Sequence, residues 1–239
     1  MNRCAKLLTT ASLVVISGCA NLPAGHVADA RDPWERYNRA VFEFNDNVDR
    51  VVIKPVAEAY RDYVPQPVQT GLRNFFGNLR DVIITAHQLL QGKPADAGVS
   101  ASRFLLNTTF GVLGLADPAS DMGFTKANED FGQTFGRWGV GPGPYVVLPL
   151  LGPSTIRDTV GTLADFNLDP IGAVFEQSAS RNIAYGLIAI DRRKEVLDAQ
   201  ETIDALSFDR YTGVRDLWLA RRRSLVYDGD PPPTPIQED

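Results

Sequence analysis

Histidine, cysteine and methionine are almost missing from this chain of 239 residues, which has two of each. That scarcity leaves little for a transition metal to bind, since zinc and its relatives are held mostly by His and Cys. His26 and His87 stand far apart, and no cysteine or acidic cluster lies near either at ligand spacing. A Ser-His-Asp hydrolase would have to rest on His87, whose neighbours at helical spacing make it a packed residue instead. No catalytic residue, metal site or cofactor is therefore assigned. Positive charge is scarce too: no Lys/Arg run exceeds three residues, and the formal net charge is −5. Nucleic acid binding needs the opposite balance. Long apolar runs are also lacking beyond the N-terminus. The longest, "FLLNTTFGVLGL" at 104–115, is broken by Asn107, Thr108 and Thr109. It falls short of the ~20 residues that span a bilayer and suits a buried or interfacial element.

Two glycine-bearing stretches imitate catalytic motifs and fail. "GVGPGPY" at 139–145 resembles a phosphate-cradling loop, but Pro142 and Pro144 remove two backbone donors and an apolar run follows in place of a helix start. "GVSAS" at 98–102 ends in Ser where a nucleophile elbow needs Gly, and it sits in a helical context.

What is present begins with a leader. Arg3 and Lys6 form a basic head, Leu7 to Ile16 carries no charge, and Ile16-Ser17-Gly18-Cys19 closes it. This is the layout of a secretory signal over residues 1–18, too short for a permanent span. Its ending resembles a bacterial lipobox, which makes Cys19 the lipidated residue after cleavage. Pairing with Cys4 is excluded on that reading, because Cys4 leaves with the leader. Three acyl chains exceed what stable anchoring requires. Cleavage leaves 221 residues and moves the net charge from −5 to −7. With its one cysteine occupied, the mature chain relies on a packed core, and 44% hydrophobic residues with 12 Phe supply the material.

Residues 19–31 then read as a lipidated tether. In "DPWERYNRAVFEFNDNVDRVV", Asp32 suits an N-cap, Pro33 the first turn and Glu35 a capping box. Trp34, Tyr37, Val41, Phe44, Val48 and Val51 form an apolar stripe expected to face inward. Phe42 lies outside it, as a second packing contact or a lipid contact. Pro65 and Pro67 break the chain, and a second helix runs to about Gln91, with Val68, Leu72, Phe75, Leu79, Val82, Ile83, Ala86 and Leu90 at helical spacing. Gly92 and Pro94 stop it. A third helical region covers about 95–115, a short helix follows Ser154 to about 165, and a long one spans about 178–206 with Ile183, Leu187, Ile190 and Val196 inward. A last helix covers about 209–224, and residues 226–239 read as a disordered tail. The fold class is mainly α, built of amphipathic helices around a Gly/Pro-rich apolar segment. The basic triplets at 192–194 and 221–223 are solvated faces, or meet lipid phosphates or an acidic partner.

Four blocks, "DPWERYNRAVFEFN", "RDYVPQPVQTGLRNFFGNL", "RFLLNTTFGVLGLADPAS" and "FGQTFGRWGVGPGPYVVLPLLGPSTIRD", together resemble the MlaA (VacJ) family of outer-membrane lipoproteins. They occur in the family's order within about residues 32–170. The resemblance implies a compact, ring-like helical domain over 32–225, embedded in the inner leaflet of the outer membrane and facing the periplasm. It implies an amphipathic channel that removes mislocalised phospholipids from the outer leaflet, beside a porin trimer, and passes them to a soluble periplasmic carrier. Ala20 after the lipidated cysteine fits sorting to the outer membrane. Irregular backbone at membrane depth is tolerated where it is buried in protein or lines a wet cavity. Residues 139–152 are accordingly a channel wall or a buried loop, with Gly141, Gly143, Tyr145, Val147, Leu148, Leu150 and Leu151, and more remotely Phe42, as the candidate lipid path. A phospholipid-cleaving enzyme and a purely structural tether are the competing functions.

The anchor is directly testable. Cys19→Ser is expected to leave the leader uncleaved by the lipoprotein peptidase and to abolish acyl labelling. An intact mass showing a free, unmodified Cys19 in the wild-type mature protein would sink the assignment.

Overall fold

A computed structural model describes residues 29–197 and 209–233. The leader, Cys19, most of the tether, the end of the helix expected over 178–206 and the last six residues lie outside the described residues. The described chain is mainly helical. Helix α1 (Glu35–Val48) continues through a wide π-helical turn (Asp49–Ile53) into α2 (Lys54–Tyr63). Pro55, at the second position of α2, lacks the N–H and crowds the preceding turn, and the widened turn before it relieves that clash. Helix α3 (Gln66–Leu90) starts on Pro67 and ends where Gly92 takes φ +75°, letting Lys93 N close back on Gln88 O at 2.8 Å. Helix α4 (Pro94–Thr109) returns against α3, and α5 (Pro118–Asp121) follows. Helix α6 (Phe131–Arg137) leads to an antiparallel hairpin, β1 (Tyr145–Leu148) with β2 (Gly152–Thr155), in the register Tyr145↔Thr155 to Leu148↔Gly152. Then come α7 (Ile156–Leu168), α8 (Pro170–Val174), α9 (Ser178–Glu195) and α10 (Arg210–Val226).

Several local expectations are displaced. Asp32 does not cap α1, whose N-cap position is Trp34 without a side-chain bond. It is buried instead, accepting from Asn38 Nδ2 at 2.7 Å and from the Tyr211 hydroxyl, with Arg215 at 3.4 Å. A carboxylate with three such partners gains more from them than from one cap bond. Thr155, not Ser154, caps α7, its hydroxyl accepting from Asp158 N one turn on.

The larger displacement concerns the faces of the helices. On α1 the buried residues are Glu35, Asn38 and Val41, while Trp34, Tyr37, Phe44 and Val51 of the expected core stripe are exposed. On α3, Gln69, Asn78, Asp81, His87 and Gln88 are buried, while Val68, Val82, Leu89 and Leu90 are exposed. Ile183 and Val196, expected to point inward, are exposed as well. After α4 the loop carries Phe110, Val112 and Leu113 outward at 71%, 68% and 68% exposure. Much of the apolar surface thus points away from the protein, and the interior is unusually polar.

Much of that interior is held by hydrogen bonds and ion pairs, although Gln88 Oε1, Ser100 Oγ and the Tyr145 hydroxyl are buried without a hydrogen-bond partner among the described residues. Arg103 on α4, fully buried, bonds Asp117 at 2.7 and 2.9 Å, Ser120 Oγ at 3.0 Å and the Phe124 carbonyl. Asn107 donates to Asp117 at 2.8 Å and accepts from Ala119 N at 3.0 Å, fastening α5 to α4. Lys126 reaches Asp81 of α3 at 2.8 Å. Two smaller apolar cores complete the packing, one of Val41, Tyr145, Val147 and Tyr211, the other centred on Phe76, Ile171 and Ala184.

Asparagines on α1 hold the hairpin. Asn38 donates to Tyr145 O at 3.1 Å and accepts from Val147 N at 2.8 Å; one face along, Asn45 donates to Leu148 O at 2.9 Å and accepts from Leu150 N at 2.8 Å. Seven residues is about two turns, so both amides project from the same side of the helix. They satisfy backbone groups that β1 would otherwise leave bare.

Asn38→Ala is expected to orphan the buried Val147 N–H and remove a donor from Asp32, a cost of about 2–4 kcal/mol. Thermal unfolding in detergent, followed by near-ultraviolet circular dichroism, measures it. An unchanged midpoint would mean the hairpin does not depend on this amide.

An amphipathic passage as the candidate functional site

Two cavities open between the helices. One, of about 610 Å³, runs between α2, α3, α9 and the 126–130 segment, walled by Leu72, Phe76, Ile84, Leu187 and, on the polar side, Arg73 and Lys126. The other, of about 290 Å³, lies under the hairpin and α7, walled by Ile83, Leu148, Leu151, Phe166, Ile171 and Tyr185. Arg80, Ile188 and Arg192 line both, so the two cavities adjoin at those three side chains, termed the waist, and the pair together is termed the passage. Its walls come from α2, α3, α7, α8, α9, α10 and the hairpin, which ring it.

The site residues expected from sequence separate into four places. Leu148 and Leu151 line the passage. Tyr145 and Val147 are buried in the core against Val41 and Tyr211, and Phe42 packs edge-on to Tyr211 with ring centroids 5.6 Å apart. Leu150 stands exposed at the hairpin tip with φ +64°. Gly141 and Gly143 line a third cavity of about 530 Å³ with Arg157, Arg222 and Tyr227. Gly143 takes φ +67°, and a Cβ there would meet Ile156 Cβ at 3.3 Å. Gly141 has neither restriction, so only Gly143 is fixed by its backbone.

The basic triplets resolve residue by residue, since successive helical positions diverge by about 100°. Arg193 bonds Asp49 at 2.6 Å, Lys194 bonds Gln69 Oε1 at 2.8 Å, and Arg192 turns to the passage. Arg222 bonds Asp130 at 2.6 Å and Asp158 at 2.9 Å, tying α10 to α6 and α7, while Arg221 faces the larger cavity. Helices α6 and α7 meet so closely that a Cβ on Gly161 would lie 2.4 Å from Gly132 N. Arg80, Ile188 and Tyr185 were missed from sequence. A helix stripe reveals an apolar face but not a neighbouring helix that turns part of it toward a cavity.

His87 is packed: Nδ1 lies 3.1 Å from Thr134 Oγ1, Nε2 lies 3.2 Å from Asp165, and the ring meets Phe131 edge-on at 4.6 Å. Among the described residues no group of His, Cys, Asp and Glu is arranged to hold a metal ion, and no helix is long and apolar enough to cross a membrane.

With this geometry in place, the relatives can be compared. The family model described as MlaA lipoprotein matches residues 30–225. The chain belongs to the MlaA lipoprotein family. The intermembrane phospholipid transport system lipoprotein MlaA of Shigella flexneri is 38% identical over 222 residues, covering 90% of this chain and 86% of that protein. The MlaA protein of the same description from Escherichia coli K12 is 37% identical with the same coverage, and that of Haemophilus influenzae is 32% identical over 91% of this chain and 88% of its own. A solved structure described as the structural basis for maintenance of bacterial outer membrane lipid asymmetry superposes with a TM-score of 0.69. It is 38% identical and covers 82% of this chain and 98% of that one. The MlaA resemblance drawn from the four sequence blocks is thus established, and with it the helical fold.

The α10 clasp has a pH signature. Burial alone would raise the Asp130 carboxyl, but the Arg222 guanidinium and the Gln133 amides outweigh it and hold the carboxyl at about 2, below its usual 3.8. A depressed acid stabilises fully above its unfolded pKa and loses that contribution as pH falls through the folded one. Thermal stability in detergent is expected to drop by about 2 kcal/mol between pH 4 and pH 2 from this group. Arg222→Gln should remove that component of the pH profile; a profile identical to wild type would show that the clasp does not stabilise α10.

Proposed function

We propose that this lipoprotein removes mislocalised phospholipids from the outer leaflet of the outer membrane through the passage between its helices. The observation that carries the reading is the arrangement of polarity: apolar side chains outside, a bonded polar interior, and a passage with an apolar wall and a cationic waist. An exposed apolar surface of this extent marks a membrane or partner contact. In hydrocarbon, irregular backbone such as the hairpin is tolerated where protein or a wet cavity covers it. A lipid crossing here keeps its acyl chains against Leu148, Leu151, Phe166 and Ile171 and its headgroup near Arg80 and Arg192. Intermembrane phospholipid transport, for which the MlaA relatives are named, fits that path.

On this reading Cys19 anchors the chain in the inner leaflet, facing the periplasm. A porin trimer supports it, and a soluble periplasmic carrier receives the lipid. The chain needs no catalytic residue, metal or cofactor, because it only matches an apolar path to acyl chains and a polar path to headgroups.

One cluster favours a lipid-cleaving enzyme, since Thr134, His87 and Asp165 line up as nucleophile, base and acid would. Thr134, however, is fully buried, and its hydroxyl is bonded to the Asp130 carbonyl and to Gln91, both at 3.1 Å. An ester carbonyl has no approach to it. The cluster fastens α3 to α6 and α7.

In a strain lacking the gene, outer-leaflet phospholipid should rise and detergent resistance fall. Wild type and His87→Ala are expected to restore both, whereas Ile188→Trp, which fills the waist, should not despite normal membrane levels. Release of fatty acid or lysophospholipid by pure protein, lost in His87→Ala, would convert the reading to a phospholipase. Full function of Ile188→Trp would favour a structural tether. Cysteines introduced at Leu148 and Leu151 are expected to react with water-soluble thiol reagents, and those at Tyr145 and Val147 to stay protected. Equal protection of all four would remove the hairpin from the lipid path.

A further inference from the structure

Charged groups on the passage wall are not equally occupied. Asp165 accepts from Phe131 N at 3.2 Å and lies 3.2 Å from His87. Asp169 caps α8 through Ile171 N at 2.9 Å, and Glu129 is bonded by Gln91 at 2.8 Å and Lys93 at 3.3 Å. Asp191 and Glu195 are both taken by Arg73, at 2.9 and 2.8 Å, and Lys126 is taken by Asp81. Arg80 and Arg192 differ. Among the described residues neither has a carboxylate within ion-pair distance, and Arg80 makes a single hydrogen bond, to Asn128 Oδ1 at 3.3 Å. Both line both cavities, so two unneutralised guanidinium groups face the same waist.

We propose that Arg80 and Arg192 form a phosphodiester-binding subsite at the waist, which makes the passage selective for phospholipids of net negative charge, such as phosphatidylglycerol, over zwitterionic ones. The proposal rests on the transport reading above and goes further by naming the class of lipid. Guanidinium groups bind phosphate oxygens with paired N–H donors, and Arg is the side chain best suited to that geometry. The acyl chains have their place in the apolar wall of Ile83, Leu148, Leu151 and Phe166 on one side and Leu72, Phe76 and Leu187 on the other. A phosphatidylglycerol headgroup brings one uncompensated negative charge to two uncompensated positive ones. A phosphatidylethanolamine headgroup also brings an ammonium, which these arginines repel.

The electrostatics of the waist agree. Burial and then the repulsion of Arg80 lower the Arg192 guanidinium, against weaker attraction from Asp169 and Glu195. An arriving phosphate relieves that repulsion. Neither arginine is needed to join helix to helix, as Arg103, Arg193 and Arg222 are, which leaves both free to serve a ligand.

The test uses the full-length lipoprotein, extracted in mild detergent, with bound lipids quantified by mass spectrometry against the membrane it came from. Wild type is expected to be enriched in phosphatidylglycerol over phosphatidylethanolamine by about fivefold, the scale of one to two partly screened charge contacts. Arg80→Gln/Arg192→Gln should bring the ratio to that of the membrane while total bound lipid persists. Arg80→Lys/Arg192→Lys, which keeps the charge, should retain most of the enrichment and guards against misfolding of the neutral variant. A wild-type ratio equal to the membrane's, or one unmoved by the Gln variant, overturns the subsite and leaves the transport reading standing. Absence of bound lipid from wild type, with no rescue of the deletion strain, overturns both. Glycerol 3-phosphate and inorganic phosphate are added as competitors. Loss of phosphatidylglycerol to millimolar amounts of either would show a soluble phosphate to be the ligand, against the proposal, while resistance to both supports a lipid phosphodiester.

Discussion

Arg103 has no access to water, and a guanidinium taken out of water costs several kcal/mol unless its donors are met inside the protein. Asp117, Ser120 and the Phe124 carbonyl meet those of its two terminal nitrogens, and each lies on the chain that follows α4, while Nε has only Asp81 Oδ2 nearby, at 3.7 Å. Satisfying one side chain therefore folds residues 117–124 back onto the helix. Asn107, one turn further on, completes the join through Asp117 and Ala119. With that loop tied down through its polar groups, Phe110, Val112 and Leu113 are turned outward. The polar interior and the apolar exterior are two consequences of the same constraint.

Elsewhere the same economy recurs. Asp32 gathers Asn38, Tyr211 and Arg215, bringing α1 and α10 together beside the hairpin. Arg222 gathers Asp130 and Asp158 and so fixes α10 to the N-terminal ends of α6 and α7. Ion pairs at this degree of burial are weak as net stabilisers but strong as specifiers of geometry, because leaving either partner alone is expensive. A protein proposed to sit among lipids has reason to rely on them. Hydrophobic burial drives little helix association where the surroundings are themselves apolar.

A ring whose walls are held by such bonds can keep an open centre. Where ordinary helical domains fill the middle with side chains, here Arg80, Ile188 and Arg192 leave a waist between two cavities. The hairpin closes one side of it, and Asn38 and Asn45 hold that hairpin through backbone bonds that leave Leu148 and Leu151 on the passage. In the proposed mechanism the phospholipid meets an apolar wall and a cationic one together, which is what an amphipathic cargo requires.

Much of this was legible before any coordinates. Pro67, Gly92 and Pro94 set the ends of α3 by steric necessity, and the apolar spacing of 3.6 residues marked α1, α3 and α9 as helices. The four blocks carried the family. What the spacing could not carry was direction. Trp34, Tyr37, Phe44 and Val51 make one apolar face, and that face turns inward only if the surrounding medium is water. Equally, Arg192, Arg193 and Lys194 are equivalent as letters, and only Asp49 and Gln69, brought in from distant helices, leave Arg192 for the passage. Local sequence determined which elements form and where they stop, because those outcomes depend on neighbours a few residues away. Tertiary structure decided which face is inside and which cation is left without a carboxylate, because those depend on partners more than a hundred residues distant.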